Sequence, residues 1–199
     1  MPFPEFNAAS PNHATLPVHE RRGVCFHHTV MPFGETLAFM ARPESRVSYH
    51  VVIAADGARA RLVADEHVAW HAGESVFHGR EGCNAFLLGV SFAGDTRLAP
   101  LTEAQVASAL EWLAPRWEEL SWSLHWMTDH RQIAPSRKDD LAPAEWARLR
   151  AAIAGRFGTG YSAAEAQGGV VSQAAQLASS AATTVEPTRC AASSAGSMP

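Results

Sequence analysis

His130 and Asp140, at the two ends of the stretch HRQIAPSRKDD, place an imidazole and a carboxylate on one short loop. A loop of that length can bring both groups onto a single metal ion. A neutral imidazole nitrogen and a carboxylate oxygen are good zinc donors at about 2.0–2.2 Å, and three protein donors leave the fourth tetrahedral position to water. The upstream pair in FHHT, His27 and His28, supplies the third donor. Val24, Phe26 and His28 alternate there with Cys25 and His27, the period of a strand, so the adjacent histidines point to opposite faces and only one can be the ligand. Asp139 is a rival to Asp140. Lys138 lies two residues before Asp140, so an extended loop would put both side chains on one side. A fixed ammonium there would stabilise a developing oxyanion.

Several elements must position these groups. ETLAFMAR, residues 35–42, reads as a short helix that Pro43 helps to end. Residues 46–54 alternate, with Val47, Tyr49, Val51 and Ile53 on one side. An Asp56-Gly57 turn and a hairpin partner through Arg61, Leu62 and Val63 follow. Phe86 to Phe92 is a nearly continuous apolar run suited to a central strand covered on both faces. Thr102-x-x-Gln105 has the form of a capping box, and Val106, Leu110, Leu113 and Trp117 recur at helical spacing behind it. Residues 123–128 read as a strand delivering His130 at its end, and Pro143 opens a helix with Trp146, Leu149 and Ile153 on its apolar stripe. The tryptophans on these helices are expected in the core. The fold class is α/β, a central mixed β-sheet flanked by helices.

The order of FHHT, SYHVVIAADG, AWHAG, CNAFLLGVSFAGD and the His130–Asp140 stretch resembles the zinc amidases of the N-acetylmuramoyl-L-alanine amidase type 2 family. That family includes phage lysozyme-like amidases, bacterial muropeptide amidases and animal peptidoglycan recognition proteins, and the resemblance runs from roughly Val24 to Ala154. It implies the same mixed-sheet architecture and a Zn2+ cofactor held by His27, His130 and Asp140, choosing His27 over His28 and Asp140 over Asp139. It implies catalytic roles for Lys138 and Tyr49, which occupy positions linked to catalysis in the phage-type members. It also implies substrate contacts for His71 of AWHAG and for Arg80 and Asn84 of GREGCN, where a guanidinium suits a peptide carboxylate. His50 is left between a cleft role and a satisfied core histidine. The chain departs from the pattern in three places. Ser91 stands where the recycling-type members carry a glutamate in a GIEL-like strand, Asp129 replaces the glycine before the second metal histidine, and Leu141 replaces the proline after the aspartate.

The 199-residue chain is 47% hydrophobic and 18% charged, which fits one globular domain with a proper core. The expected division is an N-terminal extension over 1–22, a zinc amidase domain over 23–157 and an Ala/Ser-rich tail of very low charge over 158–199, read as disordered. A formal net charge of −4 and no Lys/Arg block give no footprint for nucleic acid. Three sparse cysteines argue against a disulfide framework. Neither a signal-peptide core nor a membrane-spanning apolar run is seen, so the chain is expected to be made in the cytoplasm without membrane insertion, with release or delivery to the cell wall left open; a monomer is expected. Its expected partner is peptidoglycan or a muropeptide. The leading expectation is an amidase cutting the lactyl amide between N-acetylmuramic acid and L-alanine, as a phage lysin or interbacterial effector. The alternatives are a cytosolic muropeptide-recycling amidase and a non-catalytic peptidoglycan-binding module of the same fold.

Overall fold

The computed structural model describes residues 1–158. The tail expected over 158–199 therefore lies, past Gly158, outside the described residues. Ten short strands occur: β1 (Glu5–Asn7), β2 (His13–Ala14), β3 (Gly23–His28), β4 (Val51–Ile53), β5 (Arg59–Arg61), β6 (Val68–Ala69), β7 (Val76–Phe77), β8 (Arg80–Glu81), β9 (Leu87–Phe92) and β10 (Met127–Asp129). Among the described residues four α-helices accompany them: α1 (Phe33–Met40), α2 (Glu103–Glu119), α3 (His130–Ile133) and α4 (Pro143–Phe157). The main sheet has six strands in the order β1-β5-β4-β9-β3-β10. Only the β4–β5 pair is antiparallel, so the sheet is mixed as expected.

β9 sits in the middle and is buried along its whole length, which is why it reads as a nearly continuous apolar run rather than an alternating one. Its neighbour β3 is equally buried and runs parallel to it, with Phe26 opposite Val90 and His27 opposite Ser91. One face of the sheet carries Phe26 and Phe92, whose rings stack at 6.2 Å, and α4 lays Trp146 against Phe26 at 6.0 Å. α2 packs beside α4 on this side, its start fixed by the Thr102–Gln105 capping box. Trp146, Leu149 and Ile153 are buried, as their spacing requires, and Trp112 and Trp122 are buried too. The other face carries Cys25 and His27, and α3, α1 and the irregular chain between β6 and β9 cover it.

Four readings need adjusting. The strand expected over 46–54 shrinks to Val51–Ile53. Arg46 takes a left-handed backbone (φ +52°), and the Ser48 N–H is spent on the Trp70 carbonyl at 3.1 Å rather than on a ladder. The hairpin partner is Arg59–Arg61, two residues earlier than expected, because Gly57 turns the chain tightly at φ +89°, a conformation that favours glycine. Residues 124–126 of the expected strand 123–128 form a 3-10 turn, and only Met127–Asp129 pair. The first 22 residues, set apart by sequence as an extension, contribute β1 to the sheet edge and β2 to a small ladder with β6. Arg59 clamps that segment by pairing with Glu5 at 2.9 Å and Glu111 at 3.0 Å.

Candidate metal centre

β3 and β10 run parallel, so their carboxyl ends lie side by side, and there the chain places His27 and His130. Asp129, the last residue of β10, caps α3 by accepting from the Gln132 N–H at 3.1 Å, which starts a helix on His130 itself. Asp129 is fully buried and paired with Gln132 and Arg131, so its carboxylate serves the cap rather than the cluster. The loop after α3 then folds back. The Arg131 N–H donates to the Asp140 carbonyl at 2.6 Å, which brings the Asp140 carboxylate over both imidazoles.

His27 Nδ1 lies 3.0 Å from His130 Nδ1 and 3.2 Å from Asp140, and His130 Nδ1 lies 3.2 Å from Asp140. All three residues are buried. Two ligand bonds of about 2.0–2.1 Å at a tetrahedral angle put donors about 3.3 Å apart, so these separations match one shared ion.

The proton inventory points the same way. His71 Nε2 approaches the Leu87 carbonyl at 2.8 Å, and a carbonyl only accepts, so that nitrogen carries the proton and His71 Nδ1 is bare. His27 Nε2, 3.0 Å from His71 Nδ1, must then be the donor, which leaves His27 Nδ1 bare in the neutral ring. His130 Nε2 is likewise committed to the Ala72 carbonyl at 3.1 Å. Two imidazole lone pairs and a carboxylate thus converge, an arrangement that suits a bound cation. A proton on His27 is a poor candidate at neutral pH, because burial and the neighbouring His130 push its pKa down to about 4. Burial alone would raise Asp140, but contacts with His130 and His27 hold it well below the usual carboxylate range. The donor set fits a divalent metal ion.

The resemblance implied a cleft-lining role for His71, and the structure places it against His27, with its Nδ1 3.0 Å from His27 Nε2. It is 6% exposed, and both its nitrogens are taken by His27 and Leu87, which places it to orient the candidate ligand His27. Gly89 makes room for it, since a Cβ there would stand 2.6 Å from His71 Cγ. We expect Gly89→Ala to cost about 1–3 kcal/mol as an overpacking defect and to weaken metal binding with it. Thermal melts of metal-free and metal-loaded protein check this, and an unchanged metal-dependent rise in Tm would count against the His71 link.

Tyr49 is buried, with its ring 5.1 Å from that of His27. Burial and the Asp140 charge push its phenol above the ordinary range, so it is a hydrogen-bond donor and not a base at neutral pH. Beside it the buried Ser91 hydroxyl finds no well-formed hydrogen bond. Lys138 is half-buried, has no ion pair among the described residues, and its charge is felt at His27. Asp139 turns away to Arg97 at 2.8 Å, which separates it from Asp140.

The two other expected substrate residues are not brought to the cluster's donors. Arg80 fills its fork with Glu20 and lies 4.3 Å over Phe86. Asn84 Oδ1 accepts from the backbone N–H groups of His71 and Ala72 at 3.0 and 2.7 Å, which holds the turn that carries His71. His50 is a satisfied core histidine, accepting from the Gly89 N–H and donating to the His67 carbonyl. Two further residues at the site gave no sequence signal of their role. Cys25 lies with His27 and His71 in a second close group, and Arg137 pins the opposite wall through the Ala72 and Glu74 carbonyls.

Fold and donor set together define a class, proteins with two histidines and one carboxylate gathered as a candidate metal centre at the carboxyl edge of a mixed sheet. The chain belongs to the N-acetylmuramoyl-L-alanine amidase family, whose sequence profile matches residues 17–143. It is 40% identical over 112 residues to the 1,6-anhydro-N-acetylmuramyl-L-alanine amidase AmpD of Citrobacter freundii, an alignment that takes in 54% of this chain and 58% of that protein. The chain thus matches little more than half the length of that relative. A crystal structure of a selenomethionine AmpD derivative superposes with a TM-score of 0.63 at 30% identity, covering 76% of this chain and 94% of that one. The fold is shared with AmiD from E. coli at a TM-score of 0.58 and 23% identity, over 69% of this chain and 59% of that one.

Proposed function

We propose that the chain is a zinc-dependent amidase that hydrolyses the lactyl amide between N-acetylmuramic acid and L-alanine, with released muropeptides as its substrates. The observation that carries the reading is the convergence of His27 Nδ1, His130 Nδ1 and Asp140 within hydrogen-bonding distance of one another while the outer N–H groups of both rings are spent elsewhere. A zinc ion held there supplies Lewis acidity and lowers the pKa of water towards about 7. The recycling role displaces the lysin or effector expected from sequence, because the relatives at about 40% identity are named as anhydro-muramyl amidases. Among the described residues no helix is long and apolar enough to cross a membrane.

The chain's own residues divide the remaining work. His71 and the Ala72 carbonyl fix the two ligand rings by their outer nitrogens, so the inner lone pairs need no reorganisation. Tyr49 keeps its proton and can donate to an amide oxygen as charge develops on it. Lys138, unpaired among the described residues, adds a positive charge that is felt at His27. Ser91 parts this chain from the glutamate pattern of the recycling-type members, and Tyr49 lies in the space beside it.

Mass spectrometry of anhydro-muropeptides and of intact sacculi after incubation with the zinc-loaded protein tests the reading. Free stem peptide with an intact L-alanine amino terminus is expected from the former. Sacculi that are bound but yield no peptide, with muropeptides also uncut, would instead leave a binding module. Lys138→Ala is expected to keep its zinc and to lose about 10²–10³-fold in kcat, the usual cost of one oxyanion donor, with Lys138→Arg recovering part of it. Turnover of Lys138→Ala at the parent rate removes that residue from the chemistry.

A further inference from the structure

Thr96, on the loop after β9, is tied to two segments at once. Its backbone N–H donates to His28 Nδ1 at 3.0 Å, and its hydroxyl lies 2.8 Å from the same nitrogen. The Ala142 N–H donates to the Thr96 hydroxyl oxygen at 2.9 Å. Because Ala142 occupies that oxygen as an acceptor, the hydroxyl proton is available to His28 Nδ1, which the Thr96 N–H already treats as a lone pair. His28 is the chain neighbour of His27, and Ala142 lies two residues beyond Asp140. One hydroxyl therefore bridges the strand that carries one candidate ligand and the loop that carries another. Thr96 is 8% exposed, so water is a poor substitute for either bond. The next residue, Arg97, pairs with Asp95 at 2.6 Å and with the exposed Asp139 at 2.8 Å, and Asp95 lies 3.6 Å from His28.

We infer that Thr96 is a positioning residue of the metal centre, its hydroxyl holding the Asp140 loop in register with the His27 strand. This rests on the reading of His27, His130 and Asp140 as a zinc site. Thr96 acts through His28 and Ala142 and contributes no donor to the His27–His130–Asp140 group. Ligands must be held within about 0.5 Å of the binding geometry, and loss of such supporting hydrogen bonds costs typically about 10–100-fold in metal affinity. Thr96→Val keeps the shape and removes the hydroxyl, while Thr96→Ser keeps the hydroxyl and removes a methyl group.

The test is Zn2+ affinity of the full chain, measured by competition with a chromophoric chelator, with circular dichroism to confirm folding. Thr96→Val is expected to bind Zn2+ about 10–100-fold more weakly than the parent, and Thr96→Ser close to the parent. Equal affinity of Thr96→Val and parent overturns the inference, as does an equal loss in both variants, which a packing change alone would give. If Thr96→Val fails to fold, Thr96→Ala takes its place under the same reading. A parent that holds Zn2+ tightly but leaves muropeptides uncut ends the enzyme reading and leaves this one standing. A parent that takes up no Zn2+ ends both.

Discussion

Asp140→Ala is expected to lose bound metal and amide cleavage together, whereas Asp139→Ala keeps both. The two carboxylates are adjacent in the chain, yet Asp140 is 3.2 Å from each inner imidazole nitrogen and Asp139 pairs with Arg97 on the surface. Removing Asp140 takes away the only negative charge offsetting a dication among three donors, and its loss exceeds the roughly 100-fold upper range typical of a supporting residue. His27→Ala should match it, because His27 is the one donor in contact with both other ligands and with His71. Metal content after dialysis, read by plasma mass spectrometry beside muropeptide turnover, checks both. If Asp140→Ala retains stoichiometric metal while Asp139→Ala loses it, the ligand assignment is reversed.

That distinction shows where the sequence was informative. The candidate ligands could be read because residue type carries the chemistry, and family order chose between His27 and His28 and between Asp139 and Asp140. The long elements could be read too, since β9, α2 and α4 bury enough side chains in a regular period to leave a pattern. What could not be read depends on backbone partners. The outer nitrogens of His71 and His130 end on the Leu87 and Ala72 carbonyls, groups present at every position and marked by no side chain. Residues 46–50 alternate like a strand, but the Ser48 N–H is drawn to Trp70 and the His50 N–H to Gly89, so propensity lost to tertiary hydrogen bonds. Arg80 was plausible as a carboxylate receptor until Glu20, sixty residues away in sequence, proved to fill its fork. The first 22 residues carry no periodicity because β1 and β2 are only three and two residues long.

The second large effect is acid instability, and it comes from histidines outside the ligand set. His50 is buried, and desolvation, with the neighbouring His19, pushes its pKa down to about 3. His19 is pushed down to about 4, again mainly by burial. Each accepts a backbone N–H on Nδ1 and faces a backbone carbonyl with Nε2, so both are satisfied as neutral rings and neither has a site for a second proton. In the unfolded chain both titrate near 6.5. The sign follows from linkage: as pH falls below about 6.5 the unfolded state takes up protons that the native state refuses, so stability is complete above that value and is lost downwards towards the folded pKa values. Each ring contributes a slope of about 1.4 kcal/mol per pH unit over that window, and the two together about 2.7. Between pH 6.5 and 4 the two rings together remove about 6 kcal/mol, enough to unfold a domain at the low end of the typical range of about 5–15 kcal/mol before most carboxylates titrate. Urea unfolding of the metal-free protein at several pH values between 6.5 and 4 measures the slope. His50→Gln, which cannot take up a proton, should flatten it by about 1.4 kcal/mol per pH unit whatever its cost at neutral pH. A slope identical in parent and His50→Gln would show that this ring already carries its proton in the fold, and the tautomer assigned from Gly89 and His67 would be wrong with it.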